Sequence, residues 1–249
     1  MTPDGKSALE GGRSDIEVEK AALREEVWRT LDAAKACEGS SYGRIPNFNG
    51  ADDAAAQLAQ QEFWESAGVV KVVPDSPQMP VRALALKDGK LIYMAVPALR
   101  ELVPFVALDP EALSVSPEAA ADRHTAMQVG QRVDLDDMRP VDLVVTGSVA
   151  VNSTGARIGK GAGYGDIEVA LLAEAGLIGP ETIICTTVHD LQVVDRLIPE
   201  TNHDFHVDVI VTPTRVISTT VRYRPGGIDW SRMPEAKVRA IPVLASRRR

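Results

Sequence analysis

Only two of the 249 residues are cysteine, Cys37 and Cys185. They stand far apart, which excludes a disulfide framework and a zinc spacing and leads us to expect a reducing, cytoplasmic setting. An excess of positive charge is missing too: 27 Lys and Arg against 35 Asp and Glu give a formal net charge of −8. That balance argues against a nucleic-acid binder, which carries a basic face, and leaves room for a local basic pocket around an anionic small molecule. No apolar run reaches membrane-spanning length, and Met1 to Arg13 is polar without an apolar core, so neither insertion nor secretion is expected. The chain reads as a soluble protein, and 45% hydrophobic residues are enough for one substantial core. Its oligomeric state is not written in these features.

What is present centres on Arg157-Ile158-Gly159-Lys160-Gly161-Ala162-Gly163-Tyr164-Gly165-Asp166-Ile167-Glu168. Glycines alternate with other residues after a β-branched run (Val144, Val145, Val149 to Val151) and before a helix-like segment, Asp166 to Leu177. Glycine permits positive φ and close approach, so successive N–H groups can converge on one anion while the next helix adds its positive dipole end. Lys160 and Arg157 add formal charge. The spacing fits neither the Walker loop nor the dinucleotide fingerprint, and by spacing alone an anion site and a flexible connection both remain open.

Along the chain, residues 1–13 are expected to be a flexible N-terminus, 14–225 a single domain and 226–249 a peripheral tail. Ser14-Asp15-Ile16-Glu17 has the form of a capping box and opens a helix to about Cys37. Lys20 and Arg24 share one face of it, which by spacing alone reads as a solvated basic edge. Arg44 to Asn49 reads as a loop and Ala51 to Ala67 as a helix. Three strands are expected at Val69–Val73, Val81–Leu86 and Leu91–Val96, the last two joined as a hairpin through Asp88-Gly89. Ser116-Pro117-Glu118 caps a helix to about Gly130, with His124 at the surface. Val141 to Val151, a nearly continuous apolar run, predicts a strand covered on both faces; further strands follow at Thr182–Val188, Val207–Thr212 and Arg215–Thr219. Alternating strands and helices imply a three-layer α/β/α fold around a mostly parallel sheet, with ligands beyond the strands' carboxyl ends. The glycine loop, His189-Asp190 and Thr212-Pro213 are expected at that edge.

Over Lys20 to Thr220 the sequence resembles the 5-formyltetrahydrofolate cyclo-ligase (methenyltetrahydrofolate synthetase) family. The family's signature, Gly-x-Arg-Leu-Gly-x-Gly-x-Gly-Tyr-Tyr-Asp-Arg, is met by Gly155-Ala156-Arg157-Ile158-Gly159-Lys160-Gly161-Ala162-Gly163-Tyr164-Gly165-Asp166-Ile167. Its Lys-x-x-x-Arg helix finds Lys20 and Arg24, and its Glu-x-x-His-Asp run finds Glu200, His203 and Asp204, with Asp208 beyond. Gly165 and Ile167 replace the family's second tyrosine and closing arginine. Together with Arg44 to Phe48 and Thr187 to Asp195, they look more like the divergent branch of methenyltetrahydrofolate synthetase domain-containing proteins. Arg44, Arg82 and Arg196 are candidates to replace the missing arginine.

The resemblance implies an α/β cyclo-ligase fold and a reaction in which ATP phosphorylates the formyl oxygen of 5-formyltetrahydrofolate, N10 attacks the activated carbon and phosphate leaves. It implies that Gly159, Lys160, Gly161, Ala162 and Gly163 wrap the triphosphate, that Lys20, Arg24, Arg157 and Lys160 neutralise it, that Asp166 holds Mg²⁺, and that Tyr164 lines the junction of nucleotide and substrate. Lys160, Tyr164 and Asp166 are thereby the expected catalytic residues. Asn47, Phe48 and His189 are candidates for contact with a reduced folate or another carbonyl-bearing compound. Two other readings stay open: an ATP-dependent cyclising or condensing enzyme with a non-folate substrate, and a non-catalytic binding protein of the same fold.

Overall fold

The computed structural model describes residues 4–248, and side chains from residue 15 onward. Its central sheet has eight strands in the order β10-β9-β8-β5-β1-β2-β3-β4. In chain order these are β1 (Val69–Val72), β2 (Leu91–Ala95), β3 (Phe105–Leu108), β4 (Gln131–Val133), β5 (Leu143–Thr146), β8 (Ile183–Thr187), β9 (Val209–Val211) and β10 (Val216–Ser218). The short strands β6 (Ala150–Val151) and β7 (Arg157–Ile158) form a separate antiparallel ribbon. The pairings β9–β8, β8–β5, β5–β1 and β1–β2 are parallel and those at the flanks antiparallel, so the expected mostly parallel sheet is present.

Alternation along the strands builds a core on each face. Val144 and Ile184 point to one side, where they meet Leu171 and Leu172 of the helix Tyr164–Glu174; Leu143, Val145 and Cys185 point to the other, against Ala54, Leu58, Val81 and Ala85. These two apolar layers, covered by helices, are the α/β/α sandwich that the period-2 alternation of strands requires. A third cluster joins Leu23, Val27 and Leu31 of the first helix, α1 (Asp4–Ala33), to Val149, Ala150 and Ile158 of the β6–β7 ribbon.

Several expectations are corrected. Val81–Leu86 is not a strand: it lies in a helix, Met79–Lys87, which buries Val81, Arg82, Ala85 and Leu86, a helical rather than an alternating pattern. Pro80 at its start fits the first turn, and Lys87-Asp88-Gly89 is the helix exit, so the hairpin is absent. The helix Asp4–Ala33 runs through Ser14, so the capping-box residues lie inside it rather than at its start; Met1 to Pro3 lie outside the described residues. The run Val141 to Val151 divides between β5 and β6. At Gly147 a Cβ would come within 2.9 Å of Ile45 Cγ2, and Gln192 Nε2 donates to the Ser148 and Val149 carbonyls at 2.8 and 3.2 Å. The chain leaves the sheet there because a side-chain amide satisfies the carbonyls that the sheet no longer does. The segment beyond Gly226 is not peripheral: Ile228, Val238, Ile241, Val243 and Leu244 are buried in the same core as Leu171.

Candidate functional site

The β6–β7 ribbon, held under α1, delivers the chain into Gly159–Gly163, and the helix Tyr164–Glu174 carries it away. Gly161 and Gly163 have φ of 101° and 69°, conformations that residues with a Cβ rarely adopt. From Gly159 to Asp166 no backbone N–H has a hydrogen-bond partner among the described residues. Such a run of unspent donors at a helix N-terminus has the form that can receive an anion. Arg24 reaches it from α1, donating through Nε to the Gly159 carbonyl at 2.8 Å; burial lowers its pKa from the ordinary guanidinium value.

The loop is a wall common to two cavities. The first, about 250 Å³, also includes Lys20, Arg24, Asp204, Arg232 and Lys237. The second, about 220 Å³, includes Arg123, Arg157, Lys160, Tyr164 and Glu168 and opens at the carboxyl ends of β1, β2 and β5, beside Pro74, Pro97 and Gly147. Gly159, Gly163 and Asp166 line both. Asp166 is ion-paired with Arg157 and keeps 24% of its side-chain surface accessible. Burial raises the Asp166 pKa despite the nearby cations of Arg157 and Lys20. Arg157 is itself buried, with its guanidinium carbon 3.9 Å from the centroid of the Phe205 ring, a cation–π arrangement that fixes the plane presented to Asp166.

Lys20 is buried and donates to both carboxylate oxygens of Asp204, at 2.9 and 2.7 Å. Burial opposes ionisation of Asp204, but the hydrogen bond and charge of Lys20 and the Thr201 N–H outweigh it, and the pKa is lowered. A carboxylate with a depressed folded-state pKa contributes stability that is present above its unfolded value, about 3.9, and lost as pH falls through the folded value. Asp204→Asn is therefore expected to lower the urea midpoint at neutral pH and to flatten the loss of stability below about pH 4. A variant curve running parallel to the wild type through that range would show the pair to be energetically silent.

The structure thus gathers Lys20, Arg24, Arg157, Gly159 to Gly163, Lys160, Tyr164 and Asp166 around two adjoining cavities. Lys160 is turned to the second cavity, where Nζ meets Asp75 Oδ1 at 3.0 Å. Asn47, Phe48 and His189 are not brought to either cavity's lining. Phe48 is buried with its ring edge-on to His189 at 6.4 Å; His189 Nδ1 accepts from the Leu191 N–H at 3.1 Å and caps a short turn; Asn47 Nδ2 faces Glu38 at 3.4 Å. Asp190 holds Thr212, Thr214 and Arg215. Asp208 is paired with Arg222 and Arg224 and accepts from the Ile184 N–H. The candidates for the absent arginine are also occupied elsewhere: Arg82 donates to the Val73, Asp75 and Ala121 carbonyls, Arg196 pairs with Glu26, and Arg44 lines neither cavity. Sequence reasoning missed Arg123, Arg232 and Lys237, which no local pattern marks. His124 is exposed, as expected.

No group of three or more His, Cys, Asp or Glu side chains is gathered for a metal among the described residues. Mg²⁺, however, is usually held by one or two carboxylates together with phosphate oxygens rather than by an all-protein cage. Asp166 beside the glycine loop fits that donor set.

Fold and site together define an α/β protein with a glycine loop, rich in unspent backbone N–H groups, between two adjoining cavities. The pattern of the 5-formyltetrahydrofolate cyclo-ligase family matches residues 16–213, and the chain belongs to that family. It is 39% identical over 233 residues to the methenyltetrahydrofolate synthase domain-containing protein of Danio rerio, covering 89% of this chain and 59% of that protein. The Mus musculus protein of the same name is 38% identical over 242 residues, covering 93% of this chain and 63% of its own length. The chain thus spans about three fifths of the length of these curated relatives. In fold it is similar to the 5,10-methenyltetrahydrofolate synthetase of Aquifex aeolicus, with a TM-score of 0.52 at 20% identity, covering 82% of this chain and 94% of that one. No helix among the described residues is long and apolar enough to cross a membrane.

Proposed function

We propose that this protein is a cytoplasmic ATP- and Mg²⁺-dependent cyclo-ligase that converts 5-formyltetrahydrofolate and ATP to 5,10-methenyltetrahydrofolate, ADP and phosphate. The observation that supports it is the shared wall: a reaction in which a phosphoryl group passes from a nucleotide to a second substrate needs two adjoining cavities with anion donors and a carboxylate between them, and Gly159, Gly163 and Asp166 line both. In this reading the unspent N–H groups of Gly159 to Gly163, with Lys20 and Arg24, hold the polyphosphate in the first cavity. Tyr164 and Lys160 face the second substrate. Arg157, fixed by Phe205, orients the Asp166 carboxylate. Asp166 would hold Mg²⁺, whose chemistry is to neutralise charge on the transferring phosphoryl group. Catalysis is then positioning and electrostatic neutralisation by groups already in place.

One observation favours a second reading, a different carbonyl-bearing substrate. Ile167, where the family has arginine, is buried in the core, and a Cβ at Gly165 would make only ordinary contact with Arg157 and Thr146, at 3.7 and 4.0 Å. Gly165 lines the second cavity, which lacks a stacking ring there, whereas Ile167 lines the first, so the missing guanidinium is lost from that side. The test is the ultraviolet absorbance of methenyltetrahydrofolate formed from 5-formyltetrahydrofolate with and without ATP and Mg²⁺. ATP-dependent growth of that band is the expected result. Its absence in protein that binds ATP would sink the folate reading and favour the second; absence of nucleotide binding would leave a non-catalytic protein.

A further inference from the structure

The family match ends at residue 213, yet the outer wall of the first cavity is built from residues well beyond it, including Gly227, Ile228, Arg232, Met233 and Lys237. This segment is held in place by the core. Ile228, Val238 and Ile241 are buried, and Glu174 accepts from the Trp230 indole at 3.1 Å and the Ile228 N–H at 3.2 Å. The anchoring delivers Lys237 to the glycine loop, where Nζ donates to the Ala162 carbonyl at 2.9 Å and lies 2.8 Å from where a Cβ of Gly163 would stand. A glycine at 163 is what lets the ammonium come so close. The loop carbonyls are thus held by cations from two sides, Gly159 by Arg24 and Ala162 by Lys237, which sets two peptide planes before any ligand arrives.

We propose that the segment from Pro225 to Lys237 is part of the ligand site and that Lys237 is a polyphosphate-binding residue, supplying from outside the family's matched region a cation in addition to Lys20 and Arg24. This rests on the nucleotide reading of that cavity. An ammonium has three donors, so it can hold the Ala162 carbonyl and a phosphate oxygen together. Arg232, also in this lining, stands beside Asp229 at 3.6 Å.

The test is calorimetric titration of the whole chain with Mg²⁺-ATP and, separately, with inorganic tripolyphosphate. Lys237→Met, which keeps the apolar stem and removes the charge, is expected to weaken both by about tenfold, the scale of one charge-assisted hydrogen bond. Lys237→Arg should restore most of the loss, and Arg239→Ala, on the same helix but outside the cavity lining, should change neither. Because Lys237→Met leaves the buried anchors untouched, its thermal midpoint is expected to stay close to wild type. Wild-type affinity in Lys237→Met would overturn this inference and leave the nucleotide reading standing. Failure of the wild-type protein to bind either probe would overturn both.

Discussion

Asp166→Asn is expected to reduce ATP-dependent turnover by about 10²–10³-fold, the usual scale for removing one preorganised electrostatic group. Asp166 is the carboxylate on both cavity walls and the partner of the buried Arg157. Asparagine keeps its shape and one acceptor oxygen but offers no negative charge to Mg²⁺ or to the guanidinium. Arg157 would keep the Phe205 ring and a neutral acceptor but lose the opposing charge on the cavity side. The measurement is steady-state turnover under saturating ATP and Mg²⁺, beside nucleotide affinity by calorimetry. The reading requires turnover to collapse while nucleotide affinity falls far less, because the loop donors and Lys20 and Arg24 remain. Turnover within a few-fold of wild type would remove Asp166 from the chemistry.

The largest expected effect on stability lies just beneath the site. Lys71, in the middle of β1, has 1% of its side chain accessible and is ion-paired with Glu168, which has 7%. Glu168→Ala strands an ammonium in the core, and breaking one half of a buried pair costs about 3–5 kcal/mol. For a chain of this size that is a fall in thermal midpoint of roughly 6–20 °C. Replacing both partners by apolar residues, Lys71→Met with Glu168→Leu, is expected to be close to neutral, since the desolvation penalty of both charges disappears with them. Urea denaturation of the single and double variants closes the cycle. A single-variant loss below about 1 kcal/mol would mean that water reaches Lys71 and that the pair behaves like a surface one. Since Glu168 also lines the second cavity, the same variants show whether that charge is needed for turnover.

How much of this was legible in advance depended on whether the cause was local. The glycine loop stood out because alternating glycines lie between an apolar run and a helix, but spacing alone left an anion site and a flexible connection equally open; its unspent N–H groups came with the structure. The alternating and β-branched runs determined most of the parallel sheet and hence the three layers. Val81–Leu86 misled because six mostly apolar residues suit a buried strand or a buried helix equally. Only packing against both Ala54 and Leu58 and the sheet decided for the helix. Lys71 looks like an interruption of a strand until Glu168, 97 residues away, is folded against it.

The sequence by itself determined most of the strands of the sheet and the glycine loop with its run of backbone donors, though not the helix at Met79–Lys87. Which side chains surround that loop was decided only by the tertiary structure. Lys237 is brought over Gly163 by apolar residues of its own segment seeking the core, not by any motif around it. Asn47, Phe48 and His189 satisfy turns and packing instead of facing the cavities. The physical reason is that a hydrogen-bond pattern repeats along the chain and can be read from spacing, whereas a cavity wall is a set of long-range contacts chosen by burial, and burial is not periodic across the connections between elements.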